Sequence, residues 1–411
     1  MRDCILYMKK YSTKELFSHL ISYSIIELAN KAMPLILLPI LTAFLTVEEY
    51  GKLSVLQLVF GLGTIFFSCG LTSIISVDYN KQNYYQRFEQ LKITINTCAF
   101  FFIFSLPFLF FISYSYAEPV LLLVFFAAVC TAVSNFFLAF FQVGKKVKKY
   151  ALLSVSQTFL NFIFTLVFVS VLLNGYEGRV IALKQLPILT AIFFYLSTFG
   201  LKFISVRVVK LSIQKKIRRA LPLLVHQLSN WARYSVDKFV LFGFLGAASL
   251  GEYNVNFQLS FILSILVMVI NKSFQPFILK ALSKGESAFS LIVKQFITVI
   301  LTGVITVFII INFGYLLING DFTVIPSVVI ILCMSFIFQG GYLCICNYLY
   351  FYEKGASLAM NSAFCFVITL ASSIPLVQNF GAVGAAVSVL TSMLILFFGT
   401  LRVFLTILRS V

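Results

Sequence analysis

The chain has 411 residues, of which 60% are hydrophobic and only 11% charged, with a mean hydropathy of +1.00; a soluble domain carries about 25% charge. That composition excludes a soluble globular protein and indicates a polytopic membrane protein. The net charge of +17 would suggest nucleic acid in a soluble chain, but here its cause is topological, because membrane proteins concentrate Lys and Arg in cytoplasmic loops; no nucleic-acid partner is expected.

The first residues, MRDCILYMKKYSTKELF, form a basic lead-in with no small-residue cleavage site behind a short apolar core, so the first spanning helix is expected to serve as the targeting signal. Apolar runs of about 20 residues, the length that crosses a hydrocarbon core, predict twelve helices. The first six fall near 20–45, 53–77, 91–113, 119–143, 151–173 and 180–204; the second six fall near 221–245, 253–278, 290–313, 325–350, 356–377 and 382–407. The expected fold class is an all-α membrane protein of about 12 transmembrane helices in two six-helix bundles. These are residues 1–204 and 221–411, joined by a basic linker at 205–220.

Charge alternates along the connections. Arg2, Lys9, Lys10 and Lys14 precede the first helix; Lys81, Arg87 and Lys92, then Lys145, Lys146, Lys148 and Lys149, then Lys202 to Arg219, then Lys280 and Lys284, then Lys354, mark every second connection. The intervening connections hold little more than Glu48, Glu49 and Lys52, then Glu118, Glu177 and Arg179, Glu252 and Asp321. The basic side is expected to be cytoplasmic, with both termini on it. Every outward connection is short, which leaves no room for an outer catalytic domain.

The two halves share a weak repeat. Glu49-Tyr50 follows the first helix and Glu252-Tyr253 the seventh; sliding the halves by that spacing brings Lys31 within one or two residues of Arg233. Parallel repeats are common in transporters and place the site at the repeat interface. Both helices carry charge inside an apolar run, which costs about 2.5 to 3.5 kcal/mol per group on insertion scales. Glu27 and Lys31 are four apart and share a helix face, as do Arg233 and Asp237, with Lys238 beside them. One reading makes these structural ion pairs. The functional reading has the two helices facing each other across a cationic cavity, with Lys31, Arg233 and Lys238 binding substrate and Glu27 and Asp237 tuning charge or carrying a coupling ion. Lys238 is close enough to the outer interface to snorkel, and His226, on the same helix, is more simply a hydrogen-bonded residue than a proton carrier.

Seven of the eight cysteines lie in apolar runs without metal-ligand spacing and read as buried free thiols. Gly381 to Ala386 (GAVGAA) predicts close helix packing rather than a nucleotide loop. No phosphate loop, zinc, flavin or nucleophile-elbow motif occurs. The expectation is a protein that is not an enzyme and has no metal and no cofactor.

Several stretches resemble the polysaccharide-export flippases of the multidrug/oligosaccharidyl-lipid/polysaccharide (MOP) superfamily, the O-antigen or Wzx-type translocases. They are Asn30-Lys31-Ala32-Met33-Pro34 through Pro39-Ile40-Leu41-Thr42 to Glu49-Tyr50-Gly51, and Phe141-Gln142-Val143-Gly144-Lys145-Lys146-Val147-Lys148-Lys149-Tyr150. Asp237-Lys238, Gly251-Glu252-Tyr253, Tyr352-Glu353-Lys354 and the Gly381 run complete the set. The resemblance implies a MATE-like fold in a bacterial inner membrane and alternating access by two rocking bundles. It also implies a lipid-linked oligosaccharide as substrate, carried on undecaprenyl pyrophosphate from the cytoplasmic to the periplasmic leaflet, and maps a cationic lumen onto Lys31 and Arg233. Membrane lipids, a proton or sodium ion and the polysaccharide polymerase machinery are the further partners implied. The rival readings are an ion-coupled drug/cation antiporter of the same superfamily, which would want an acidic cavity, and a membrane-embedded polymerase or glycosyltransferase, which would want a larger outer loop.

Overall fold

A computed structural model describes residues 13–79, 82–115, 120–171, 175–199, 219–221, 223–225 and 227–408, and every regular element among them is helical. In chain order these are α1 (Thr13–Phe44), α2 (Val47–Ser68), α3 (Leu71–Asp78), α4 (Tyr84–Ser115), α5 (Val120–Val143), α6 (Val147–Leu166, followed by a π turn at Val167–Val171) and α7 (Gly175–Phe199). After a helical stretch at 227–232 come α8 (Val236–Ser283), α9 (Phe289–Phe313), α10 (Pro326–Phe351) and α11 (Gly355–Leu408).

Nine of the described helices are long and apolar enough to cross a membrane. Two of them, α8 with 48 residues and α11 with 54, would reach roughly 70 to 80 Å if straight, against a hydrocarbon core of about 30 Å. Neither is straight. Each is broken at a glycine in the left-handed half of backbone space, Gly246 at φ 80° and Gly381 at φ 57°, a region that side chains with a Cβ rarely adopt. Contacts between the arms show that both fold back as antiparallel hairpins. In α11, Asn361 Nδ2 donates to the Leu396 carbonyl at 3.0 Å, and a Cβ on Gly384 would sit 1.8 Å from the Leu376 carbonyl oxygen. The close packing expected of GAVGAA is therefore between the arms of one hairpin. Counting two crossings for each hairpin and one for α7, the architecture is consistent with the twelve crossings expected.

Two boundaries differ from expectation for local reasons. The helix expected at 53–77 begins at Val47 because Thr46 and Glu49 form a reciprocal cap: the Thr46 N–H donates to Glu49 Oε2 at 2.9 Å and the Glu49 N–H to Thr46 Oγ1 at 3.3 Å. It stops at Cys69 and Gly70, both at positive φ, and α3 continues separately.

Two helices, α5 and α10, end in the same kind of cap. At the end of α5 the Lys146 N–H reaches the Phe141 carbonyl at 2.8 Å and the Lys145 N–H reaches Gln142 at 3.1 Å; at the end of α10 Lys354 reaches Leu349 at 2.9 Å and Glu353 reaches Tyr350 at 3.1 Å. Both are paired helix-terminating turns, and both use a non-glycine residue at positive φ, Lys145 and Glu353.

The chain packs as two compact units. One comprises the described residues within Met1–Met33, Phe67–Phe164 and Leu183–Leu221, the other those within Pro34–Phe66, Thr165–Ala182 and Pro222–Val411. In the first, Phe136, Phe137, Ala128 and Ala132 on α5 are fully buried, and Asn30 of α1 donates to Ser154 of α6 at 2.5 Å. In the second, Leu259, Leu263, Leu332 and Phe336 form fully buried core. There α2 and α8 cross backbone to backbone: a Cβ on Gly51 would meet the Ala247 carbonyl at 1.8 Å, and one on Gly251 the Val47 carbonyl at 2.0 Å. Asn254 Nδ2 bonds Ser54 Oγ at 2.8 Å beside that crossing, and Asn319 Nδ2 caps the Pro39 carbonyl at 3.0 Å.

Candidate functional site

The helix expected to run unbroken through 221–245 is interrupted at its charged residues. Residues 233–235 are turn, not helix: the Tyr234 N–H bonds the Trp231 carbonyl and the Ser235 N–H the Ala232 carbonyl, both at 3.1 Å, a tighter three-residue spacing. Ser235 leaves helical geometry at φ −131°, and α8 starts afresh at Val236. Broken spanning helices are where transporters build sites, because half-helix ends present unused backbone groups.

The three charges at this break lie in the second unit and have different fates. Asp237 is completely buried and accepts a 2.5 Å hydrogen bond from the Tyr253 hydroxyl across the hairpin. Lys238 does not snorkel: at 6% exposure its Nζ donates to the Tyr234 carbonyl at 2.9 Å and sits 3.4 Å from the centroid of the Phe257 ring. A desolvated ammonium over an aromatic face gains about 2 kcal/mol, so this lysine stitches the break together. Arg233 and Asp237, four apart, do not form the ion pair that their spacing allows. Arg233, 5% exposed, donates from Nη2 to Asn230 Oδ1, while its Nε and Nη1 have no hydrogen-bond partner. Its neighbour Tyr234 packs with Tyr342 of α10 against buried Cys365 of α11.

Glu27 and Lys31 belong to the first unit, on α1, where Glu27 is half-buried and Lys31 exposed. Their neighbour Asn30 is fixed by α6, donating to Ser154 and accepting from Thr158 Oγ1. His226 lies outside the described residues, as do 205–218 of the basic linker. Among the described residues no cluster of three or more His, Cys, Asp or Glu is placed to hold a metal ion.

Residues 16–282 match the family described as polysaccharide biosynthesis protein. The chain belongs to that family. Among curated relatives it is 24% identical over 378 residues to a Haemophilus influenzae protein named Lsg locus putative protein 1, covering 88% of this chain and 91% of that one. Among solved structures, an inward-facing multidrug-resistance MATE-family transporter of the MOP superfamily aligns with a TM-score of 0.68 at 16% identity, over 94% of this chain and 96% of that one. The lipid II flippase MurJ in an inward closed conformation aligns with a TM-score of 0.64 at 14% identity, over 94% and 87%. The fold of this polysaccharide biosynthesis family member is thus that of the MOP transporters, an all-α multi-pass membrane architecture.

Two features of this family member escaped the sequence. Tyr342 and Cys365, more than a hundred residues further along, join Tyr234 of the break in one apolar cluster, and both read as ordinary apolar-run residues. Arg179, assigned by its position to an outward connection, is instead 4% exposed and donates to Thr165 Oγ1. One Arg beside one Glu in a short loop carries no sign of burial.

Proposed function

We propose that the protein is a flippase that moves a lipid-linked oligosaccharide, an undecaprenyl-pyrophosphate-bound repeat unit of O-antigen or a similar surface polysaccharide, from the cytoplasmic to the periplasmic leaflet of a bacterial inner membrane. The observation that carries the proposal is Arg233. It is a buried guanidinium at the break of a spanning helix, with Nε and Nη1 unsatisfied, in a member of the polysaccharide biosynthesis family. A buried donor without an acceptor costs about 1 to 3 kcal/mol, more when charged, and the planar guanidinium fork matches phosphate oxygens two at a time.

In this reading Arg233, in the second unit, contacts the diphosphate, and Lys238 contributes positive potential while holding the break; Lys31, in the first unit, is proposed separately as a substrate-binding cation, and Glu27 and Asp237, each within its own unit, as residues that tune charge or carry a coupling proton or sodium ion. Alternating access moves the polar head while the polyprenyl tail stays in lipid. Both termini face the cytoplasm, no covalent step is catalysed, and polymerase machinery receives the product.

The test is leaflet-resolved accumulation of polyprenyl-linked oligosaccharide in cells carrying wild type, Arg233→Ala or Lys31→Ala. Normal membrane levels of the variants with sugar stranded on the cytoplasmic side are expected. Normal export by both would refute the site, and efflux of organic cations in place of sugar export would favour a drug/cation antiporter.

A further inference from the structure

The connection between α5 and α6, together with the start of α4, gathers cations that the translocation site does not use. The cap ending α5 turns Lys146 back onto that helix, where its Nζ lies 5.5 Å from the centroid of the Phe140 ring and 5.7 Å from that of Phe88. Lys149, one turn into α6, sits 6.0 Å from the Phe141 ring. The Arg87 guanidinium lies 4.3 Å from the centroid of Tyr79 and is fixed there by its Nε, which donates to the Tyr79 carbonyl at 2.8 Å. All of these residues lie in the first unit.

The three cations stand close enough to act on one another. Partial burial, then the charges of Lys149 and Arg87, push Lys146 below the ordinary lysine value. Among the described residues no carboxylate pairs with Lys146, Lys149 or Arg87. Asp78, one residue before Tyr79, is held by Arg219 through both oxygens, at 2.8 and 3.2 Å, and Glu89 forms no ion pair. Cytoplasmic charge bias alone asks only for lysines in a loop; it does not ask for three cations converging on a floor of aromatic rings. Beside them Tyr84 and Tyr85 are 64% and 82% exposed, the disposition of aromatic side chains at headgroup depth.

We propose that Arg87, Lys146 and Lys149 form a site for the phosphate of an anionic phospholipid headgroup, with Tyr84 and Tyr85 lying at the headgroup level. The missing counter-charge is then the lipid phosphodiester. Lys146 supplies the inner contact, Arg87 a fixed guanidinium fork, and Lys149 the outer contact. The site is independent of the translocation proposal and stands or falls separately.

The experiment is native mass spectrometry of the full chain reconstituted in phosphatidylcholine vesicles doped with phosphatidylglycerol. It compares wild type, Lys146→Gln with Lys149→Gln, Lys149→Gln alone at its exposed position, and Lys280→Gln with Lys354→Gln as an equal charge loss elsewhere. Retention of phosphatidylglycerol is expected to weaken about fivefold per lysine removed from the cluster and to stay at the wild-type level in the control pair. Should the double variant fail to assemble, the single Lys149→Gln variant carries the same expectation. Equal retention in the cluster and control variants would overturn the site. So would equal retention of the two lipids, and displacement of the phospholipid by stoichiometric undecaprenyl diphosphate would overturn the choice of ligand.

Discussion

Arg233 and Lys238 carry the same charge five residues apart and are opposite cases in chemical terms. Lys238 has its needs met by a carbonyl and an aromatic face, so its replacement is felt chiefly in stability. Arg233 keeps two donating nitrogens without acceptors, so its replacement is felt in ligand handling. Arg233→Lys should therefore lower export about tenfold at unchanged membrane abundance, because a point charge cannot reproduce a two-pronged contact with phosphate. Quantified export in cells reads this directly, and export equal to wild type would mean that charge alone suffices. The Tyr253 hydroxyl is the hydrogen-bond donor to buried Asp237. Tyr253→Phe should cost about 1.5 to 3 kcal/mol, the range for a hydrogen bond to a charged group, seen as a lower unfolding temperature in detergent. An unchanged temperature would show that Asp237 is satisfied by other groups.

At the level of elements, glycine decides which helices turn and which cross. The α11 hairpin needs Gly384 against the Leu376 backbone, and a Cβ there would overlap the carbonyl. Gly384→Ala should destabilise by about 3 kcal/mol or more, the upper end of overpacking costs, and reduce the yield of folded protein on size-exclusion chromatography. Gly51→Ala should act alike at the α2–α8 crossing, where the obstacle is again backbone and cannot rotate away. The start of α2 was written in the sequence as Thr46-x-x-Glu49, yet helix prediction by apolar runs passed over it because Glu48, Glu49 and Lys52 interrupt hydropathy. The break at 233–235 had no such signature: no proline or glycine falls there, and the Tyr234 carbonyl beside it accepts from Lys238 Nζ instead.

For the whole molecule, the alternation of basic and neutral connections predicts that Lys145 to Lys149 and the carboxyl terminus share the cytoplasmic side. Single cysteines placed at 148 and at 319, in a chain stripped of native cysteines, should label from opposite faces of intact cells. Labelling from the same face would overturn the orientation. The described cysteines form no disulfide, and six of them are buried, with Cys69 half-buried, so removing them substitutes small apolar volumes and leaves no bridge to lose.

What the sequence determined by itself is what depends on local composition: that the chain crosses a membrane many times, that its elements are helices, and that charge sits inside two of them. Hydropathy over about 20 residues and the cost of intramembrane charge suffice for that. It also held the outline of a MOP transporter, through short motifs spread over its length. What only the tertiary structure decided is how each charge is answered. That Asp237 meets Tyr253, that Lys238 folds over Phe257, that Arg179 is buried and that Arg233 keeps free donors all depend on residues brought together by hairpins and crossings. A side chain's partners are set by distance in space, and spacing along the chain does not encode that distance once a helix breaks or turns back on itself.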